Sequence, residues 1–159
     1  MLRSIVIAFH LLVGSLLTGD AKSQAPPPLP DETRHIVDSL KDRLQTTAND
    51  HDRIPLYAKL CWTYLGVREL DIARTYADTV RALAHHIIDS AGLMRAEYYY
   101  GVIARLAGKL REALPYLQRY VDYYEPKGDS SRIAGALFQI GSVHSHLGKV
   151  TNGVIKVGD

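Results

Sequence analysis

Asp89-Ser90-Ala91-Gly92-Leu93-Met94-Arg95-Ala96-Glu97-Tyr98 returns forty residues later as Asp129-Ser130-Ser131-Arg132-Ile133-Ala134-Gly135-Ala136-Leu137-Phe138. The kinship lies in side-chain size and polarity at matched places. It continues at Gly101 and Gly141, and at Ala107-Gly108-Lys109 and Leu147-Gly148-Lys149. Self-similarity at such a period is the mark of a stacked repeat, in which each unit buries its apolar face against the next.

Within each period the apolar residues recur at helical steps. Leu110, Ala113, Leu114, Leu117, Tyr120, Val121 and Tyr124 form one stripe, and Leu70, Ala73, Ala77, Val80, Ala84, Ile87 and Ile88 form another. Gly66-Val67-Arg68 and Gly108-Lys109 leave room only for short turns, so consecutive helices are antiparallel neighbours. Pro126-Lys127-Gly128-Asp129-Ser130 supplies a helix stop, a residue tolerant of positive φ and a capping side chain. The expected fold is all-α: a solenoid of antiparallel helix hairpins with units at about 50–89, 90–129 and 130–159, the last incomplete. A helix from Asp31 to Gln45 precedes them, with Ile36, Val37, Leu40 and Leu44 inward.

Small residues mark where the paired helices cross. Cys61 and Ala73, Gly101 and Ala113, and Gly141 and Gly153 each stand 12 apart. Backbones that approach closely leave no room there for more than a methyl or thiol. Cys61 therefore reads as a packing residue. With Tyr57, Leu60, Tyr64 and Ala77 in unit one, Tyr100 and Leu117 in unit two, and Leu137 and Ile140 in unit three, this pattern resembles the tetratricopeptide repeat, in a variant with a longer period. Ala104 and His144 stand where that family usually has Tyr, and His144 is expected as a packing residue.

The resemblance implies a protein-binding scaffold whose concave face is built from the first helix of each pair. Carried over, that face holds Ala58, Trp62 and Leu65, then Arg95, Tyr98, Val102 and Arg105, then Phe138, Ser142 and Ser145. Trp62, Arg95, Tyr98, Arg105 and Phe138 are the types that dominate binding hot spots and are the candidate partner-binding residues. Trp62, Val102 and Ser142 replace the Asn of the carboxylate-gripping subclass, so that clamp is not expected. The partner is a protein or peptide.

Composition narrows the alternatives. Nineteen basic and 17 acidic residues are mixed along the chain without a cationic run, which argues against nucleic acid. One cysteine permits no intrachain disulfide. His85-His86 and the pair His144 and His146 point to different faces of their helices, so neither pair suits a metal, and no cofactor is expected. Asp71, Asp89 and Asp129 stand at helix starts, where capping explains them. No catalytic constellation emerges. A small-molecule-binding or enzymatic helical domain using His and Tyr is the alternative.

At the N-terminus one arginine, an apolar run from Ile5 to Leu17 and small residues at Gly19 and Ala21 read as a secretory signal peptide over 1–21. The run is too short for a stable membrane span. Residues 22–30 include Pro26-Pro27-Pro28-Leu29-Pro30, a stiff linker. The product is expected to be periplasmic or extracellular. Exported arrays of this period resemble the sensory regions of bacterial signalling proteins. Val150–Asp159 is short and β-branched for the second helix of unit three. The reading is a truncated piece of a longer array, open to self-association through its uncapped end.

Overall fold

The computed structural model describes residues 28–155, with side chains as far as residue 148. The signal-peptide reading, most of the Pro-rich linker and residues 156–159 lie outside the described residues. Six α-helices follow one another: α1 Asp31–Thr46, α2 Asp50–Gly66, α3 Leu70–His86, α4 Ser90–Leu106, α5 Leu110–Tyr124 and α6 Ser130–Ile155. A 3-10 turn, Glu125–Lys127, lies between α5 and α6. There is no strand among the described residues.

The helix starts are set by side chains. Asn49 accepts from the His51 amide at 2.9 Å, Asp89 from Ala91 at 3.0 Å and Asp129 from Arg132 at 3.2 Å. Each satisfies an amide that the first turn leaves without a helical partner. Pro55 and Pro115 fall inside α2 and α5, but in the second turn and exposed, so the carbonyls they leave unbonded are near solvent.

The stops share one geometry. Arg68, Ile88 and Gly108 have φ of 62°, 56° and 77°, and Gly128 has 65°. After each of the first three the next amide reaches back across the helix end: Glu69 to Tyr64, Asp89 to Ala84 and Lys109 to Ala104, at 3.0, 2.8 and 2.9 Å. These are Schellman closures, and they recur every twenty residues, half the repeat seen in the sequence. Ile88 is the misfit, a β-branched side chain in the left-handed region and 88% exposed. Ile88→Gly is expected to stabilise the chain by about 1 kcal/mol, read as a higher Tm; an unchanged or lower Tm would show that the turn carries no such strain.

Packing follows chain order. α2 pairs with α3 and α4 with α5, while α3 packs on α4, α5 on α6 and α1 on α2. The first helices of successive pairs also touch, α2 with α4 and α4 with α6, and make one layer of the solenoid. Leu60, Cys61, Ala73, Ala77, Val80, Ala84, Ala113 and Leu117 are fully buried between the layers. In α1, Val37 and Leu40 are buried, but Ile36, expected inward, is 45% exposed. Among the described residues α2 is the main cover of α1, and one neighbour cannot hide so wide a stripe.

Unit three departs from the repeat. No turn forms at Leu147-Gly148-Lys149: α6 runs through it to Ile155, although the β-branched composition there is poor for a helix. Breaking the helix would forfeit backbone hydrogen bonds that only the packing of a returning helix could offset. Gly141 is consequently not a close-contact position. A Cβ there would meet nothing within 4 Å, because none of the described helices crosses it. His144, expected as a packing residue, is exposed for the same reason.

Candidate functional site

Trp62 stands on the outer side of α2, one residue past the buried Cys61, and is 52% exposed. Its ring stacks on Tyr98 of α4, centroids 6.4 Å apart and planes at 26°. Tyr98 in turn leans on Tyr120 of α5 at 5.1 Å. The indole is thus backed by a packed aromatic column while its other face meets solvent, the disposition of a hydrophobic anchor.

Hollows open on both sides of Trp62. One, of about 450 Å³, lies between α1 and α2 and is lined by His35, Ile36, Ser39, Lys59 and Thr63. The other, of about 210 Å³, is bounded by Leu65, Val102, Arg105, Leu106 and Gln139. Trp62 belongs to both, so the two form one interrupted track across α1, α2, α4 and α6. Their linings contain Lys59 and Arg105 and no carboxylate.

Arg105 is held in place from α6. Its Nε donates to Gln139 Oε1 at 2.6 Å, and Gln139 is the buried polar residue of this layer, 7% exposed. Gln139 also hydrogen-bonds the Tyr98 hydroxyl. Burial raises the Tyr98 pKa above its ordinary value, while the Gln139 bond and the Arg105 charge oppose that rise. Among the described residues Arg105 has no ion-pair partner, although its guanidinium has donors beyond the one given to Gln139. A charged fork fixed at one nitrogen and open at the others suits a carboxylate.

The other expected face residues are placed differently. Arg95 is partly exposed near Tyr99 and Tyr120 and lines neither hollow. Phe138, 73% exposed, is also outside both. Ala58, Leu65 and Val102 are buried, the last two forming the floor of the smaller hollow. Gln139 and Lys59 were not singled out by the sequence. They share one phase of the repeat with Tyr99, and a lone glutamine within Leu137-Phe138-Gln139-Ile140 was the available sign.

The small positions divide by unit. Cys61, Ala73 and Ala113 are fully buried, and Gly101 is buried with the Leu117 side chain where its Cβ would stand. Burial pushes the Cys61 thiol up to about 12, so it stays protonated at neutral pH.

A third hollow, of about 330 Å³ between α3, α4 and α5, gathers Asp71, Arg74, Tyr100, Lys109, Glu112 and Tyr116. Tyr100 donates to Asp78 at 2.6 Å under the guanidinium groups of Arg74 and Arg81. Burial first, and then the Asp78 bond, drive its pKa far upward, so this hydroxyl keeps its proton. The bond ties α4 to α3.

Among the described residues no three His, Cys, Asp or Glu side chains gather as metal ligands. No described helix is long and apolar enough to cross a membrane. No protein-family model, curated protein or solved structure matches the chain.

Proposed function

We propose that the chain is an exported, tetratricopeptide-like scaffold of a sensory or signalling assembly, holding an extended acidic segment of a partner protein along the first-helix face. The observation that carries this is Trp62, half-exposed between two hollows whose linings offer Lys59 and Arg105 and no acid. An apolar side chain of the segment rests against the indole, and a carboxylate takes the free side of the Arg105 fork. The tetratricopeptide reading draws on the small residues Cys61, Ala73 and Ala113, all fully buried, and on Gly101, where the Ala113 carbonyl comes close. Export draws on the signal-peptide reading of residues 1–21.

Selection from a randomised peptide library tests the groove. Recovered peptides are expected to combine a carboxylate with an aliphatic or aromatic residue. Trp62→Ala should weaken their binding about tenfold or more, as truncation of a hot spot does. Arg105→Gln should erase the preference for the acid. Peptides bound equally well by both variants would place the site elsewhere.

A further inference from the structure

The strongest uncommitted surface is on α6. Its inner side packs against α5 through Ala136 and Val143, both fully buried, with Ile133 and Ile140 beside them. The adjoining side, with Ala134, Leu137, Gly141 and His144, is exposed. Forty residues earlier the same phase of α4 is Met94, Glu97, Gly101 and Ala104. There α5 covers it: Arg119 Nε donates to Glu97 at 2.7 Å, and Leu117 occupies the space beside Gly101. The repeat therefore specifies what belongs on this side of α6, a helix with a leucine entering the glycine slot.

A second observation bears on where that helix comes from. From Ile133 through Gly148 there is no Lys, Arg, Asp or Glu, whereas every helix from α1 to α5 carries several. Depletion of charge is the compositional sign of an interface core. It also lets two identical faces meet without repulsion. Leu137 is 52% exposed and Phe138, at the margin of the face, 73%. Knob and slot, Leu137 and Gly141, are one turn apart on one helix, so a single antiparallel copy fills both slots at once. An isologous twofold contact has this reciprocal form.

We propose that α6 pairs antiparallel with α6 of a second copy, Leu137 of each protomer entering the Gly141 slot of the other. The stretch from Ser130 to Gly148 is about 28 Å long at helical rise. Two such helices bury on the order of 1,000 Å² in total, the lower end for specific association, so the dimer is reversible. This pairing goes beyond the groove reading and leaves Trp62 and Arg105 free.

Sedimentation of the full chain over a range of concentrations tests it, with circular dichroism as the folding control. A monomer–dimer equilibrium is expected. Gly141→Glu, which meets nothing within 4 Å in the monomer, should keep its helicity and weaken dimerisation about tenfold or more, by burying a charge against its own copy. In a Cys61→Ala background, a mixture of Leu137→Cys and Gly141→Cys chains should form the mixed disulfide in preference to either symmetric one. A chain monomeric at every concentration, a dimer indifferent to Gly141→Glu, or symmetric disulfides predominating would overturn the proposal.

Discussion

Gly101→Leu is expected to destabilise the chain by about 3 kcal/mol or more, lowering both Tm and the urea midpoint. A Cβ on Gly101 would stand 2.6 Å from Leu117 Cγ and 2.7 Å from its Cδ2, with the Ala113 carbonyl oxygen at 3.4 Å. Cγ is the fork of the leucine and not its tip, and Leu117 is fully buried, so it cannot swing aside. The clash is relieved only by separating α4 from α5. Gly141→Ala, forty residues on, has the opposite expectation. With nothing within 4 Å, it should gain about 0.5–1 kcal/mol from helix propensity in the dilute monomer. A wild-type-like Tm for Gly101→Leu would contradict the close crossing of α4 and α5.

Leu117→Ala is expected to cost about 3–5 kcal/mol, the upper part of the range for buried leucine. Leu117 is fully buried in a cluster with Ala104, Ala113 and Val143, and it fills the space that Gly101 leaves empty. The fully buried neighbours are short or β-branched and have little reach into the cavity, so any closure falls to the surrounding Tyr98, Leu110, Leu114, Ile140 and Leu147. The double variant separates this contact from general core damage. With Leu117 removed, Gly101→Ala places its methyl in the new cavity, so the pair should be less destabilised than the two single changes summed, by about 1–2 kcal/mol. Additive denaturation energies would mean that the two residues do not share one space.

The repeat, its helix pairs and the small residues at their crossings were legible because periodicity and size are local properties of the chain. Periodicity assigns a residue to a face. It does not say whether anything covers that face. Gly101 and Gly141 look alike in sequence and differ in structure, since Leu117 lies against one and none of the described helices crosses the other. His144 and Gly148 belong to the same class: each has the phase of a packed or turning residue, but α6 continues through both. Ile88 was hidden for a different reason. Its apolar character fits the stripe of α3, but the Schellman closure from Asp89 to Ala84 puts it in the left-handed turn and out into solvent.

The candidate site was half visible. Trp62, Tyr98 and Arg105 share the first-helix phase and are brought together. What holds Arg105 came from α6, through Gln139, across a separation of 34 residues that no helical pattern connects. Arg95 and Phe138 have the right chemistry, but neither lines the hollows flanking Trp62.

Trp62 is the chain's one tryptophan, so its emission reports directly on the proposed groove. Titration with a library-selected acidic peptide should shift that emission to shorter wavelength and protect the indole from a soluble quencher. The shift should saturate at the same peptide concentration as binding measured independently. Saturable binding that leaves the emission and quenching of Trp62 unchanged would contradict the account.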